Sequence, residues 1–251
     1  MKLSVIIPFY KELNLINRAV NSVVTNSNFF AQVEIILIND GLFKENEIRS
    51  CFDNNLKKLV KIISNTHTKG PGGARNTGLD ISKGDIIAFL DADDFWLPGK
   101  LEAQMQEIRK GATFVATSYQ FDKSKTIINP PSSIDKPTDV FLRRGICTST
   151  VILTKELLES HKFREIRFGQ DIDFWFTLAK SKKFNYRALF GVFAEYNING
   201  STKNKWVQLY YVNKILTLNN INILTRIRVN ISYILTGLYN HYIRNLIFSR
   251  K

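Results

Sequence analysis

The chain has 251 residues, which is enough for one well-buried domain with a smaller appendage. Its hydrophobic fraction of 44% and charged fraction of 23% indicate a globular protein and exclude a disordered one. The net charge of +13 favours an anionic partner, which leaves nucleic acid, nucleotide phosphates and an acidic membrane surface open. Cys51 and Cys147 lack metal-ligand spacing and predict reduced thiols in a cytosolic protein. No segment has the length expected of a signal peptide or of a membrane span.

The first half of the chain alternates apolar strands with helical patterns, starting at the N-terminus. Strands are predicted over residues 3–7, 33–38, 59–63 and 86–90, with helices over 13–24, in a segment ending near 56, and over 74–81. Pro8 is expected to stop the first strand. This rhythm predicts right-handed βαβ units and a parallel sheet.

The second half is mixed. A helix is predicted from Pro98 to about Lys110, strands over 113–121 and 150–153, a helix over 171–180, and strand pairs within 184–196. The two halves are expected to share one continuous sheet.

The segment from Trp206 onward is helical and basic, and no Asp or Glu follows Glu195. A helical cap packed on the domain and an interfacial helix on anionic lipid both fit this pattern. The lack of acidic residues favours the membrane interpretation.

Three carboxylates follow the most apolar strand, in the sequence Asp91-Ala92-Asp93-Asp94. Ligands bind beyond the carboxyl ends of strands in parallel sheets. If the chain stays extended there, Asp91 and Asp93 point to the same side. Two such oxygen ligands suit Mg²⁺ or Mn²⁺. Alone, the pattern is also typical of a solvated acidic turn, but its position after a buried strand favours a site.

Three further motifs each permit a structural and a functional interpretation. Asp40 ends the second strand, as a turn residue or as an acceptor for a base or ribose. Arg75 follows a glycine-rich loop at 70–73, which is neither a Walker loop nor a dinucleotide fingerprint but permits close approach to phosphate. Asp171 and Asp173 open a helix, where a carboxylate is either a cap or a general base.

Together, and in this order, the motifs resemble the family 2 glycosyltransferases, which are inverting enzymes of the GT-A fold. The segments that carry the resemblance are Ser4-Val5-Ile6-Ile7-Pro8-Phe9-Tyr10, Ile38-Asn39-Asp40-Gly41, Gly73-Ala74-Arg75-Asn76-Thr77-Gly78-Leu79, Phe89-Leu90-Asp91-Ala92-Asp93-Asp94 and Gln170-Asp171-Ile172-Asp173-Phe174-Trp175. The resemblance covers residues 2–201. It implies an α/β fold with a mainly parallel central sheet flanked by helices, and a C-terminal helical extension. The expected domains are a GT-A domain over 1–202, with a nucleotide-binding half at 1–97 and an acceptor half at 98–202, and a basic extension over 203–251.

The resemblance also implies roles for individual residues. Asp171 is the expected catalytic base. Asp93 is the expected direct ligand of Mn²⁺ or Mg²⁺, with Asp91 beside it. The expected nucleotide-sugar contacts are Pro8, Tyr10, Asp40, Arg75, Asp91 and Ala92, and the loop Tyr196-Asn197-Ile198-Asn199-Gly200-Ser201 is expected to cover the diphosphate.

Four positions depart from the family pattern without removing the metal site or the base. Asn39 replaces the first acid of an Asp-Asp pair, and Leu42 replaces a serine. Gln170 replaces the Glu before the base, and Asn199 stands where many members have histidine.

The function implied by the resemblance is metal-dependent, inverting transfer from a nucleotide diphosphate sugar, expected to be UDP-linked, to a hydroxyl of a glycan or lipid-linked acceptor. Such a protein would serve cell-surface polysaccharide synthesis, including lipopolysaccharide or capsule. It would be cytoplasmic, with peripheral association at the inner face of an anionic membrane and no nucleic-acid partner. A nucleotidyltransferase that forms sugar nucleotides and a non-catalytic nucleotide- or nucleic-acid-binding protein remain as alternatives.

Overall fold

The structure is a computed structural model that describes residues 1–143, 145–197 and 205–248, with the side chains of 205, 206 and 236–248 excepted. The strands are β1 (Lys2–Phe9), β2 (Gln32–Asn39), β3 (Val60–Ser64), β4 (Ile86–Phe89), β5 (Phe95–Trp96), β6 (Phe114–Phe121), β7 (Ile127–Ile128), β8 (Ile152–Thr154) and β9 (Tyr186–Tyr196). The helices are α1 (Ile16–Asn26), α2 (Glu45–Ser50), α3 (Asn54–Leu59), α4 (Pro71–Ile81), α5 (Lys100–Arg109), α6 (Asp139–Leu142), α7 (Lys155–Leu158), α8 (Gln170–Leu178), α9 (Lys205–Leu218) and α10 (Ile223–Phe248).

The described strands form one sheet in the order β3-β2-β1-β4-β8-β6-β9-β5, with β7 added to the edge of β6. The pairs among β3, β2, β1 and β4 are parallel, whereas β8 is antiparallel to both β4 and β6. The parallel nucleotide-type half and the mixed half therefore share one continuous sheet, as the sequence predicts. This arrangement places the carboxyl ends of β1, β2 and β4 side by side.

Both faces of the parallel half are buried, which explains why its strands are apolar without alternation. On one face Val5 and Ile7 pack with α1 and α5, and on the other Ile6 packs with α4 and α8. Helix α4 packs closely on β1 at Gly78. A Cβ added at this glycine would stand only 2.4 Å from Cγ2 of Ile6, so a larger residue would clash.

Several elements differ from the sequence-based expectation. Helix α4 begins at Pro71, within the segment expected to be a glycine-rich loop, because proline at the first helical position needs no N–H partner. Strand β1 runs through Pro8, which pairs with Ile38 of β2 at a level beyond the end of β4, so the missing N–H leaves no ladder bond unmade. Two short helices, α2 and α3, replace the single helix expected before residue 56, because Asp53 accepts hydrogen bonds from the N–H groups of Asn55 and Leu56 and starts a new helix. One long strand, β9, replaces the expected strand pairs, and its pairing with β6 is irregular near Ser118.

The C-terminal helices pack against the rest of the chain through a third apolar cluster. Phe141 of α6 and Phe176 of α8 meet Ile215, Leu216 and Val229 of α9 and α10. Among the residues described, none of the helices combines the length and the apolar character needed to cross a membrane.

Candidate active site

A cavity of about 1030 Å³ lies at the carboxyl ends of the parallel strands. Its wall brings together every site residue predicted from the sequence. These residues are Pro8, Tyr10, Asp40, Arg75, Asp91, Ala92, Asp93 and Asp171. Such a position is where open α/β sheets bind ligands.

Asp40 is held in place by the loop that precedes α4. Its carboxylate accepts hydrogen bonds from the N–H of Gly70 at 2.9 Å and from Nδ2 of Asn65 at 2.6 Å. The residue before it, Asn39, closes the next turn by accepting from Gly41 N–H and donating to the carbonyl of Phe43. Asn39 therefore has a structural role that accounts for an amide at this position.

The acidic motif forms a turn, so the extended geometry considered in the sequence analysis is wrong. The N–H of Asp94 donates to the carbonyl of Asp91 at 3.0 Å, and β4 ends before either residue. Asp91 and Asp93 nevertheless both reach the cavity wall. Burial, and then the nearby charge of Asp91, raise the pKa of Asp93 to about 6. None of the described basic residues forms a salt bridge with Asp93, so its carboxylate is free to bind a cation.

Asp94 is the residue that sequence reasoning missed. It is 1% exposed, and its carboxylate accepts from Ser149 Oγ at 2.6 Å and from the N–H of Asn197 at 2.9 Å. Ser149 Oγ in turn accepts from the N–H of Asp91. Burial raises the pKa of Asp94 well above its usual range. Asp94 thus anchors the acidic turn from beneath, and the only signal in the sequence was a third carboxylate next to the apolar Phe95.

Arg75 connects the acidic turn to helix α4. It is 3% exposed, and its Nη2 contacts Oδ1 of Asp91 at 2.5 Å. Its Nε and Nη1 are buried and have no hydrogen-bond partner among the described residues. The N-terminus of α4, at Pro71, Gly72 and Gly73, also lines the cavity. A helix N-terminus and a fixed guanidinium together make this wall suitable for an anion.

Asp171 and Asp173 have separate roles in the structure. Asp171 is half-buried in the first turn of α8 and lines the cavity. Burial raises its pKa, and the charge of Arg75 partly opposes this effect. Asp173 is 2% exposed and accepts from Arg164 Nε and Asn219 Nδ2, so it joins α8 to the C-terminal helices. Of the two, only Asp171 is placed to act on a ligand.

A second polar group borders the cavity without having been predicted. His67 lies between two carboxylates, with Nδ1 2.7 Å from Glu165 and Nε2 2.7 Å from Asp80. Glu165 lines the cavity and also accepts from the N–H of Thr68. The hydrogen bonds that its ring N–H groups donate to carboxylates, to Asp80 first, raise the pKa of His67 although burial lowers it. This network fixes the loop before α4 to the loop before α8.

The other positions that differ from the family pattern lie in different surroundings. Leu42 is 93% exposed and Gln170 is buried in the cavity wall, where its Oε1 has no partner among the described residues. Asn199 lies outside the described residues, as does most of the expected covering loop, of which Tyr196 lines the cavity.

The donor set of the acidic turn fits a hard divalent cation. Asp91 and Asp93 supply carboxylate oxygens at the cavity wall, and the described residues contain no cluster of three or more candidate protein ligands. Mg²⁺ and Mn²⁺ suit such a set, because Mg²⁺ is usually bound by one or two carboxylates together with waters and substrate phosphates. Burial and the charge of Asp91, which raise the pKa of Asp93, are both effects that a bound cation would oppose.

Comparison with known proteins gives a consistent result. The Escherichia coli protein WfgD, a UDP-Glc:α-D-GlcNAc-diphosphoundecaprenol β-1,3-glucosyltransferase, is 27% identical to this chain. The match covers 95% of this chain and 94% of WfgD. Staphylococcus aureus TarS in complex with UDP superposes with a TM-score of 0.66 at 16% identity, over 100% of this chain and 75% of that chain. A Pyrobaculum calidifontis mannosyltransferase in complex with GDP-Man and Mn²⁺ superposes with a TM-score of 0.66 at 14% identity. The match covers 96% of this chain and 70% of the mannosyltransferase chain.

The two structural matches establish the GT-A fold. Residues 4–170 match the sequence profile of Glycosyl transferase family 2. This segment includes most of β1 and the acidic turn, and it ends just before Asp171. The chain therefore belongs to glycosyltransferase family 2.

Proposed function

We propose that this glycosyltransferase moves a sugar from a UDP-linked donor to a hydroxyl of a lipid-linked glycan, with inversion, in cell-surface polysaccharide synthesis. The observation that carries the proposal is the arrangement of one cavity. The carboxylates of Asp40, Asp91, Asp93 and Asp171 all line it. We assign Asp40 to the nucleotide, Asp91 and Asp93 to the cation, and Asp171 to the acceptor. The family and the E. coli relative support the same reaction class.

The donor is proposed to lie along the parallel strand ends. Asp40 would accept hydrogen bonds from the uracil, and the exposed ring of Tyr10 borders the same wall. Lys69 Nζ lies 4.8 Å from the centre of the Tyr10 ring and supplies positive charge at the cavity mouth. The free N–H groups of Arg75 and the N-terminus of α4 would bind phosphate oxygens.

Mn²⁺ or Mg²⁺ is proposed to bind Asp93, with Asp91 beside it. When bound, the cation would offset the negative charge that develops on the departing nucleotide. The mannosyltransferase with the same fold holds Mn²⁺, which supports a divalent ion here.

Asp171 is proposed to be the general base. Its raised pKa makes it a stronger base than an ordinary aspartate, and its position in the cavity wall permits contact with an acceptor hydroxyl. The hydroxyl proton would pass to Asp171 as the new glycosidic bond forms at the anomeric carbon. The bond to the nucleotide diphosphate breaks on the opposite face, so no covalent enzyme intermediate is required.

A membrane-facing position is proposed for helix α10, because its described residues include an apolar face that is exposed. We name as the outer stripe six of its residues that are 48–69% exposed. They are Ile223, Leu224, Ile227, Ile231, Ile234 and Leu235. The opposite side of the helix packs inward through Val229 and Tyr233.

The positive charge of the C-terminal segment favours an anionic membrane as the partner of the outer stripe. Lys214 and Arg228 are exposed nearby in sequence, and no acidic residue follows Glu195. An apolar stripe flanked by basic residues fits the interface of an anionic membrane, where a lipid-linked acceptor lies.

The test is a panel of nucleotide sugars, beginning with UDP-glucose, offered together with α-D-GlcNAc diphosphate on a short alkyl chain and with Mn²⁺ or Mg²⁺. We expect UDP release from one sugar and a glycosylated acceptor by mass spectrometry. Pyrophosphate release from a nucleoside triphosphate would instead indicate a nucleotidyltransferase. Retention on DNA without any turnover would indicate a nucleic-acid-binding protein.

A further inference from the structure

A second cavity, of about 410 Å³, adjoins the first on the side of the C-terminal helices. Residues of α6, α8, α9 and α10 contribute to its wall. Asp171 and Phe168 line both cavities. The proposed base therefore stands where the two cavities meet.

The wall of the second cavity differs in chemistry from that of the first. Aromatic rings dominate it, namely Tyr119, Phe141, Phe168, Trp175, Tyr211 and Tyr233. Among its described lining residues, Asp171 is the one carboxylate and Arg143 the one cation, and Arg143 is already engaged by Ser133. Such a wall suits a ring that is neutral, with an apolar face and hydroxyl groups at its edge.

We propose that this second cavity is the subsite for the terminal sugar of the acceptor, with Tyr211 of α9 as a specificity-determining residue. This inference rests on the proposed function. In an inverting displacement the acceptor hydroxyl approaches the anomeric carbon from the side opposite the leaving diphosphate. With the diphosphate at Asp91 and Asp93, the acceptor would approach past Asp171, and the aromatic cavity shares Asp171 with the first cavity but is not lined by Asp91 or Asp93.

The position of Tyr211 makes it the most informative residue of this wall. Its ring centre is 4.6 Å from that of Phe168, one of the aromatic residues that also border the donor cavity. Tyr211 is half-buried, whereas its neighbour Tyr210 is 64% exposed and does not contribute to the cavity. The ring centres of Tyr210 and Tyr211 are 5.3 Å apart, so Tyr210→Ala also tests whether loss of this ring contact alone affects acceptor binding.

The experiment measures binding and transfer with the same probe, α-D-GlcNAc diphosphate on a short alkyl chain, in the presence of UDP and Mg²⁺. Tyr211→Ala is expected to weaken probe binding by about tenfold, the size of a lost aromatic contact, and to leave UDP binding unchanged. Tyr211→Phe should retain most of the affinity, and Tyr210→Ala should match the wild type. Val212→Trp, which fills the same cavity from α9, should abolish transfer and preserve UDP binding.

The outcomes separate this inference from the function on which it rests. Thermal melting of each variant identifies any that fail to fold, and Val212→Trp tests the cavity independently of Tyr211. Wild-type affinity for the probe in both Tyr211→Ala and Val212→Trp overturns the subsite. A defect that grows with the length of the alkyl chain and is absent with a methyl ester would place lipid in the cavity and also overturn it. A wild-type protein that binds neither UDP nor nucleotide sugars overturns the proposed function, and the subsite with it.

Discussion

Asp93 and Asp94 are adjacent in sequence but have opposite surroundings. Asp93 faces the cavity without a basic partner, whereas Asp94 is buried and accepts two hydrogen bonds. A carboxylate held near another negative charge stores unfavourable energy that a bound cation relieves. Asp94 instead satisfies two hydrogen-bond donors, Ser149 Oγ and the N–H of Asn197, which its removal would leave without this acceptor.

The first prediction compares these two neighbours. Asp93→Asn should abolish metal-dependent UDP binding without lowering the melting temperature, because it removes a charge that has no partner in the free protein. Asp94→Ala should lower the stability by about 1–3 kcal/mol, since Ser149 Oγ and the N–H of Asn197 lose their acceptor. Calorimetric titration and thermal unfolding measure the two effects. An unchanged metal requirement in Asp93→Asn would contradict the assignment.

The second prediction concerns pH. The pKa of Asp93 is raised to about 6, so its carboxylate is charged above that pH and neutral below it. Protons should then compete with the cation, and metal affinity should fall by about tenfold for each pH unit below 6. Titration of Mn²⁺ at several pH values, followed by its paramagnetic effect on water relaxation, measures this. Affinity that stays constant from pH 7 to about 5 would show that Asp93 is not a ligand.

At the scale of single elements, the sequence located the strands of the parallel half correctly but missed the end of β1, and it predicted the turns less well. Apolar runs located β1, β2 and β4, and so brought Asp40 and the acidic motif to one edge of the sheet. The turn at Asp91 was not predictable, because it depends on Ser149, which is distant in sequence and folds over Asp94. Hydrogen bonds of this kind, between residues far apart in sequence, produce no periodic pattern in the sequence around either residue.

The third prediction concerns helix α10 and its outer stripe. Replacing Ile227 and Ile231 together by serine should weaken binding to phosphatidylglycerol vesicles at least about tenfold, because each change removes about 2 kcal/mol of apolar transfer energy. Folding should be unaffected, since both side chains are about half-exposed. Vesicle co-sedimentation measures the effect.

The control for the outer stripe is Leu42→Ser, which changes an apolar residue that is 93% exposed on a distant loop. It should leave vesicle binding intact. Light scattering gives the oligomeric state in parallel. A wild-type dimer that dissociates when the outer stripe is changed would instead identify the stripe as an interface between copies.

At the scale of the whole molecule, the C-terminal helices are joined to the site. Asn219, which directly follows α9, donates to Asp173, two residues after Asp171. Residues of α9 and α10 also line the aromatic cavity. The sequence indicated a basic helical segment after residue 202 but gave no reason to connect it with the base. The connection depends on the packing of Phe141 and Phe176 against Ile215. A sequence shows that these residues are apolar, but it does not show which of them will be in contact.

The fourth prediction is that a chain ending at residue 204 is destabilised. Truncation would expose the buried Phe141 and Phe176, at a cost of about 2 kcal/mol each, and would remove the hydrogen bond to Asp173. Urea unfolding of the truncated and full chains measures the difference. Equal stability would show that the helices form an independent extension.

The central claim is that one cavity combines cation-dependent donor binding with a separate base. Its most direct test is the rate at which the full chain glycosylates the lipid-linked acceptor, for the wild type and for Asp171→Asn, with UDP binding measured alongside. We expect Asp171→Asn to bind UDP and metal as the wild type does, and to transfer the sugar about 100 to 10,000 times more slowly. Transfer at a near wild-type rate by Asp171→Asn would contradict it.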